Sequence, residues 1–171
     1  MKIAILSDSH DNIPNLRAAV AYCNKIGARM LLHCGDLISP FMLEELAKFN
    51  GTVHLVYGNN VGDQHLISQA CGTRFPAISH HGTLGAVEAG GLRIAFTHYP
   101  EMARGLFAKG SFDVVCCGHN HCYQVESVDG SLFINPGEVM GMDGQPTFSV
   151  LDCASREVEK IEVGRPLFAG V

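Results

Sequence analysis

Tryptophan is absent from this chain, charged residues make up only 17% of it, and lysine and arginine occur singly, never in runs. The formal charge is −5. A protein that grips long stretches of nucleic acid usually carries a basic stripe, which argues against a nucleic-acid scaffold. A small phosphate ester is not, because bound divalent cations would reverse the local field. No apolar run approaches the roughly 20 residues needed to cross a bilayer, so no membrane role is expected. Met1 leads straight into the strand-like Ile3–Leu6, without basic or cleavable leader features, which predicts a cytoplasmic protein. The seven cysteines are odd in number and contain no C-x-x-C pair, which excludes a disulfide framework and predicts reduced, buried thiols. Cys122 follows His121 and is given no role.

What is present is a strongly patterned apolar chain. Hydrophobic residues make up 47% of 171, enough for one domain with a sizeable core, taken as residues 1–171. Ile3–Leu6, Met30–Cys34 and Val53–Tyr57 read as short buried strands. Between them, Leu16, Ala19, Val20, Cys23 and Ile26 recur at helical spacing behind Asp11, Asn12 and Pro14, and Gly27 ends the segment. Ser39-Pro40 opens a second helix carrying Leu43, Leu46 and Ala47, and a third carries Leu66, Ile67 and Ala70. This is the pattern of βαβ units on a parallel sheet. Pro76–His81, Thr83–Ala89 and Leu92–Thr97 read as extended. A helix after Pro100 turns Met102, Leu106 and Phe107 inward, and Phe112–Cys117 is a further buried strand. Beyond His121 the pattern becomes antiparallel strands: Tyr123–Val128, Leu132–Asn135, Thr147–Asp152 and Glu157–Val163, with Asp129-Gly130 as a hairpin turn. The fold class is mixed α/β.

Polar residues fall in five clusters, each directly after an apolar strand: Ser7-Asp8-Ser9-His10, His33-Cys34-Gly35-Asp36, Tyr57-Gly58-Asn59-Asn60, Thr97-His98 and Gly118-His119-Asn120-His121. Ligands bind outside the carboxyl ends of strands in open α/β sheets, so the clusters should converge. The spacing of two in Asp8/His10 and His119/His121 puts each pair on one side of a strand tip. Gly35, Gly58 and Gly118 are read as sharp turns aiming the clusters inward. Asp8, His10, Asp36, Asn59, His98, His119 and His121 together offer three oxygen ligands and four imidazoles, too many for one tetrahedral ion. They suit two ions about 3.5–4 Å apart sharing a carboxylate. A nitrogen/oxygen set without thiolate favours Mn, with Fe, Zn, Ni and Co as alternatives, over Mg or Ca.

In this order, D-x-H, G-D, G-N, H and G-H-x-H, the motifs resemble those of the calcineurin-like metallophosphoesterases, and the whole chain is similar to their small single-domain phosphodiesterase branch. The resemblance implies a two-sheet β-sandwich flanked by helices. It implies that Asp8, His10 and His121 hold one metal, that Asn59, His98 and His119 hold the second, and that Asp36 bridges. It implies a hydroxide between two divalent cations attacking phosphorus in line with the leaving oxygen of a small phosphate ester. Relatives are often dimers or tetramers, so a homo-oligomer is among the expectations.

The chain departs from the family at the third motif. Many relatives read G-N-H-D there, with the His protonating the leaving group; this chain has Asn60, which can donate a hydrogen bond to a phosphate oxygen but is no general acid at neutral pH. Loss of a general acid costs typically 10²–10⁴-fold, so aryl phosphodiesters should react readily and ordinary monoesters poorly. Asp36, Asn59 and Asn60 are the residues expected to carry catalysis. Asn135-Pro136-Gly137 is read as a turn buttressing the His119–His121 loop. His33 is the closest case among the other histidines, a candidate for orienting a ligand. His54, His65, His80 and His81 are read as structural or surface residues, and Arg74, Arg104 and Lys109 as solvated charges. Two alternatives stand beside the phosphodiesterase: a phosphomonoesterase or nucleotidase with the same metals, and a non-catalytic scaffold that kept the fold.

Overall fold

A computed structural model describes residues 1–60 and 62–165. The expected span of 1–171 also takes in Val61 and residues 166–171, which lie outside the described residues. The elements run β1 (Lys2–Leu6), α1 (Ile13–Lys25), β2 (Met30–His33), α2 (Met42–Leu46), β3 (Thr52–Leu55), α3 (Gln64–Ala70), β4 (Ile78–His80), β5 (Leu84–Ala89), β6 (Leu92–Thr97), α4 (Pro100–Lys109), β7 (Val114–Cys116), β8 (Tyr123–Val128), β9 (Ser131–Pro136), β10 (Thr147–Asp152) and β11 (Val158–Glu162).

Two mixed sheets result, ordered β11-β10-β1-β2-β3-β4 and β5-β6-β7-β9-β8. Strands β1 to β4 are mutually parallel, as the helical crossovers require. Strand alternation divides the core. Ile3, Ile5 and Leu32 face Ile94, Phe96, Val114 and Ile134 across the gap between the sheets. Ala4, Leu6 and Leu31 face the other way, onto Leu16, Ala19, Val20 and Leu43 of α1 and α2. On the outside of the second sheet, Ala103 of α4 packs on Val115 and Phe133. The fold is thus the helix-flanked two-sheet sandwich expected.

Local chemistry accounts for the element boundaries. The Asn12 side chain caps α1 by accepting from the Asn15 amide at 3.1 Å, Pro14 sits in its first turn, and Gly27 leaves the helix at φ 69°. Asp129 and Gly130 are both left-handed, at φ 49° and 80°, so the β8–β9 hairpin closes in the primed geometry that matches strand twist. Some expectations are corrected. Asp11 does not cap α1; it accepts from the Ser39 amide and hydroxyl at 2.9 and 2.5 Å and ties the first loop to the second. With its side chain so used, Ser39 leaves α2 to begin at Met42 without a side-chain cap. Met102 lies 40% exposed, outside the core that Ala103 enters. Strand β9 pairs antiparallel with β8 but parallel with β7, so the C-terminal half is not purely antiparallel.

Candidate metal centre

Strands β1, β2 and β3 of one sheet and β6 and β7 of the other end at a common edge, and the five polar clusters meet there. The seven residues singled out from sequence come together in two groups around Asp36. In the first, His10 Nε2 lies 3.7 Å from Asp8 Oδ1 and 3.3 Å from Asp36 Oδ2, and His121 Nε2 lies 3.4 Å from Asp8 Oδ1. In the second, Asn59 Oδ1 lies 2.8 Å from both His98 Nε2 and His119 Nδ1, and His98 Nε2 is 3.6 Å from Asp36 Oδ2. Asp8, Asp36 and His98 are buried, whereas Asn59 and His119 face solvent. The centre is therefore rooted in the inter-sheet core and open on one side.

The backbone achieves this in a way the spacing argument did not foresee. Asp8, His10, Asp36, His119 and His121 all adopt left-handed φ, from 40° to 77°. They converge from kinked loops beyond the strands, not by alternation along a strand tip. Left-handed backbone at non-glycine residues is unfavourable, and such strain concentrates at functional sites. The loops are held by a dense lattice: Asp8 N donates to Gly35 O, His10 N to Asp36 O, Val139 N to Ser7 O and Met140 N to Asp8 O, at 2.9–3.1 Å. Asn135 Nδ2 donates to Gly118 O and Asn120 Oδ1, supporting the His119–His121 loop as expected of the N-P-G turn.

The glycines also act differently from expectation. Only Gly35 of the three has left-handed φ, at 101°. Gly58 and Gly118 are required by proximity. A Cβ on Gly58 would lie 1.8 Å from Asp36 Oδ1, and one on Gly118 would lie 1.8 Å from Ser7 Oγ and 2.6 Å from Asp8 Oδ2. Gly58 makes room for the Asp36 carboxylate, and Gly118 for Ser7 and Asp8 together.

The polar atoms fit a divalent cation. Asp8 Oδ1 and His10 Nε2 are buried and lack any hydrogen-bond partner, although they point at each other. The Cys34 carbonyl can only accept, so His98 Nδ1 donates to it at 2.8 Å. Its Nε2 then faces the oxygens of Asn59 and Asp36, at 2.8 and 3.6 Å. Acceptor atoms gathered around two buried carboxylates favour a positive charge among them. Asp8/His10/His121 and Asp8/Asp36/His98 each bring three ligand atoms within one ion's reach.

Burial alone would raise the Asp8 carboxyl, but the neighbouring His10 and His121 rings hold it well below the usual carboxylate range. His121 is pushed up to about 11 by its bonds to Asp8 and then Glu138. Beneath the centre, His33 is fully buried with Nε2 3.1 Å from Ser9 Oγ, and burial pushes it down to about 4. It supports the Ser9 loop and touches none of the seven residues through a hydrogen bond. Asn60 bonds to Asp36 twice, by its backbone N–H to Oδ1 at 2.9 Å and by Nδ2 to Oδ2 at 2.5 Å. Here Asn60 grips the central carboxylate, a role sequence reasoning did not assign.

Sequence reasoning also missed Glu138 and Asp143. Both place a carboxylate oxygen on His121 Nδ1, at 3.1 and 3.0 Å. The available signal was the position of Glu138 directly after Asn135-Pro136-Gly137. Arg104 pairs with Glu126 and lies over the Phe133 ring, Arg74 pairs with Glu44, and Cys122 belongs to no ligand group. All seven cysteines are free, and no helix among the described residues is long and apolar enough to cross a membrane.

Comparison with known proteins places this geometry. Residues 1–156 match the model of the calcineurin-like phosphoesterase superfamily domain. A phosphodiesterase of Methanocaldococcus jannaschii is 34% identical over 167 residues, covering 94% of this chain and 98% of its own. The solved structure of an archaeal phosphodiesterase superposes with a TM-score of 0.88 at 34% identity, over 96% of this chain and all of that one. Vps29 of Entamoeba histolytica, solved with zinc, shares the fold at a TM-score of 0.66 and 18% identity, over 95% of this chain and 99% of its own. The chain belongs to the calcineurin-like phosphoesterase superfamily and is a phosphoric ester hydrolase.

Proposed function

We propose that this protein is a phosphodiesterase whose one domain holds two divalent cations, manganese favoured, and hydrolyses small phosphodiesters. The observation that carries this reading is the convergence of seven ligand-type side chains in two groups around one buried carboxylate, Asp36. Asp8, His10 and His121 would hold one cation, Asn59, His98 and His119 the other, with Asp36 shared. Cations bound there supply Lewis acidity: they lower the pKa of water so that hydroxide exists near neutral pH, and they neutralise charge on the phosphate oxygens.

The chain's own groups do the rest. Asp36 is fixed by the Asn60 amide and side chain, so its two oxygens are presented in one orientation. The Cys34 carbonyl fixes the His98 ring with Nε2 toward the centre. Tyr99 forms a wall beside the open face, its ring 5.9 Å from that of His119. No imidazole follows Asn59 to protonate a departing oxygen, so the leaving group must be able to depart unaided. That favours aryl diesters over alkyl diesters and monoesters. The identity to the M. jannaschii phosphodiesterase supports the same substrate class. A scaffold role is disfavoured because every ligand position is filled.

The test is hydrolysis of bis-p-nitrophenyl phosphate by metal-stripped protein, with and without Mn²⁺, beside Asp36→Asn. Turnover that requires Mn²⁺ and is lost in the variant supports the reading. Turnover indifferent to metal, or intact in Asp36→Asn, refutes it.

A further inference from the structure

The four imidazoles of the centre are not held alike. His98 Nδ1 donates to a neutral carbonyl, that of Cys34. Among the described residues, His121 is the only one of the four with carboxylates on the nitrogen turned away from the centre. Glu138 Oε2 lies 3.1 Å and Asp143 Oδ2 3.0 Å from its Nδ1, while Nε2 faces Asp8 Oδ1 at 3.4 Å. Carboxylates only accept, so Nδ1 carries a proton, and Nε2 is the nitrogen left to give a lone pair to a cation that displaces the proton it shares with Asp8.

The two carboxylates differ in kind. The Asp143 side chain is 63% exposed and screened by water. Glu138 is 3% exposed and built in. Its Oε1 accepts from the Asp143 amide at 2.5 Å, while Oε2 is buried 3.1 Å from His121 Nδ1, whose aligned hydrogen bond goes to Asp143 Oδ2. Its backbone carbonyl accepts from Thr147 N at 2.8 Å. The next two residues, Val139 and Met140, hydrogen-bond Ser7 and Asp8. One segment thus grips both Asp8 and the back of His121. His121 itself stands at φ 57°, a conformation that needs such outside support.

We propose that Glu138 is a positioning residue that locks His121 with Nδ1 protonated and makes the Asp8/His10/His121 site the tighter of the two cation sites. This rests on the two-cation reading above. The imidazole gains basicity from the buried anion behind it, and the site gains a negative charge that the Asn59/His98/His119 site lacks. Outer partners of this kind are worth about 10–100-fold in metal affinity. Filling would then be ordered, with the His121 site first.

The experiment is calorimetric titration of the metal-stripped, full-length protein with Mn²⁺, comparing wild type, Glu138→Ala, Glu138→Gln and Asp143→Asn. Thermal melting of each stripped protein checks the fold, and the near-isosteric Gln variant guards against collapse of the Ala variant. Wild type should show two unequal binding steps. Glu138→Ala should weaken the tighter step about 10–100-fold and leave the weaker one unchanged. Glu138→Gln should fall in between, since it keeps an oxygen beside Nδ1 but loses the charge. Exposed Asp143→Asn should change the tighter step less than about threefold. A folded Glu138→Ala or Glu138→Gln protein with an unchanged tighter step overturns the proposal alone. Equal weakening of both steps also overturns it, showing general loosening. Wild-type protein that binds no Mn²⁺ overturns the proposal and the two-cation reading together.

Discussion

At the scale of single residues, the centre depends on side chains that are missing as much as on those present. Gly58 leaves room for the Asp36 carboxylate, which a Cβ would meet at 1.8 Å. Gly58→Ala should therefore displace Asp36 and lower Mn²⁺-dependent diester turnover by about 10²-fold or more, the cost of misplacing a reacting group by about 1 Å. Gly105 in α4 is the control: a Cβ there meets nothing within 4 Å, so Gly105→Ala should keep turnover and add about 0.5–1 kcal/mol of stability. His33 carries a different prediction. Burial holds it near 4 in the fold, against about 6.5 in an unfolded chain. The unfolded chain therefore binds more protons between those values, so stability should fall as pH drops from about 6.5 to 4, by up to about 3 kcal/mol. Urea unfolding of wild type against His33→Gln across that range should show a smaller acid loss in the variant; equal losses would remove His33 from the account.

At the scale of elements, α1 and α2 are joined by Glu45, which Arg17 grips at 2.8 and 3.0 Å and Lys48 at 2.7 Å. Those bonds, Arg17's foremost, hold the carboxyl down at about 2. Its folded value is below the unfolded one, so the stabilisation is present above about pH 4.5 and disappears as pH falls toward 2. Arg17 and Lys48 are more than half exposed, so water reduces the effect. Glu45→Gln should cost about 1 kcal/mol at pH 7 and nothing near pH 2 by chemical unfolding. The elements were largely legible in the sequence because apolar spacing marks which face is buried. β8 and β10 fall on the expected residues, and Asp129-Gly130 closes the expected hairpin. Gathering of the five clusters was legible too, since each follows a strand. The means was not: left-handed φ at Asp8, His10, Asp36, His119 and His121 is imposed by hydrogen bonds between distant loops. Glu138 was hidden for a similar reason. Its neighbour His121 is 17 positions away in sequence and meets it only once β9 has paired with β7 and β8. Asp11 and Ser39 illustrate a further limit, because each suits a helix cap locally but is claimed by the other in the fold.

At the scale of the whole molecule, charge sets the order of events. The protein carries a formal −5, and its centre concentrates the buried carboxylates of Asp8, Asp36 and Glu138. A phosphate ester is repelled by such a surface until divalent cations reverse its sign. Inorganic phosphate should therefore inhibit the Mn²⁺-loaded protein, whereas calorimetry should detect no phosphate binding to stripped protein; tight binding without metal would contradict the electrostatic picture. The absence of an imidazole after Asn59 makes a second global prediction. Across phosphodiesters of increasing leaving-group pKa, turnover should fall steeply, and p-nitrophenyl phosphate should be hydrolysed more slowly than its bis-aryl counterpart. A faster monoester would keep the cations but make the protein a phosphatase. The most direct test of the central claim is to titrate Mn²⁺ into stripped protein while following bis-p-nitrophenyl phosphate hydrolysis. The account predicts a rate that stays low through the first equivalent and reaches its plateau at two; a plateau at one equivalent, or full activity before any is added, would contradict it.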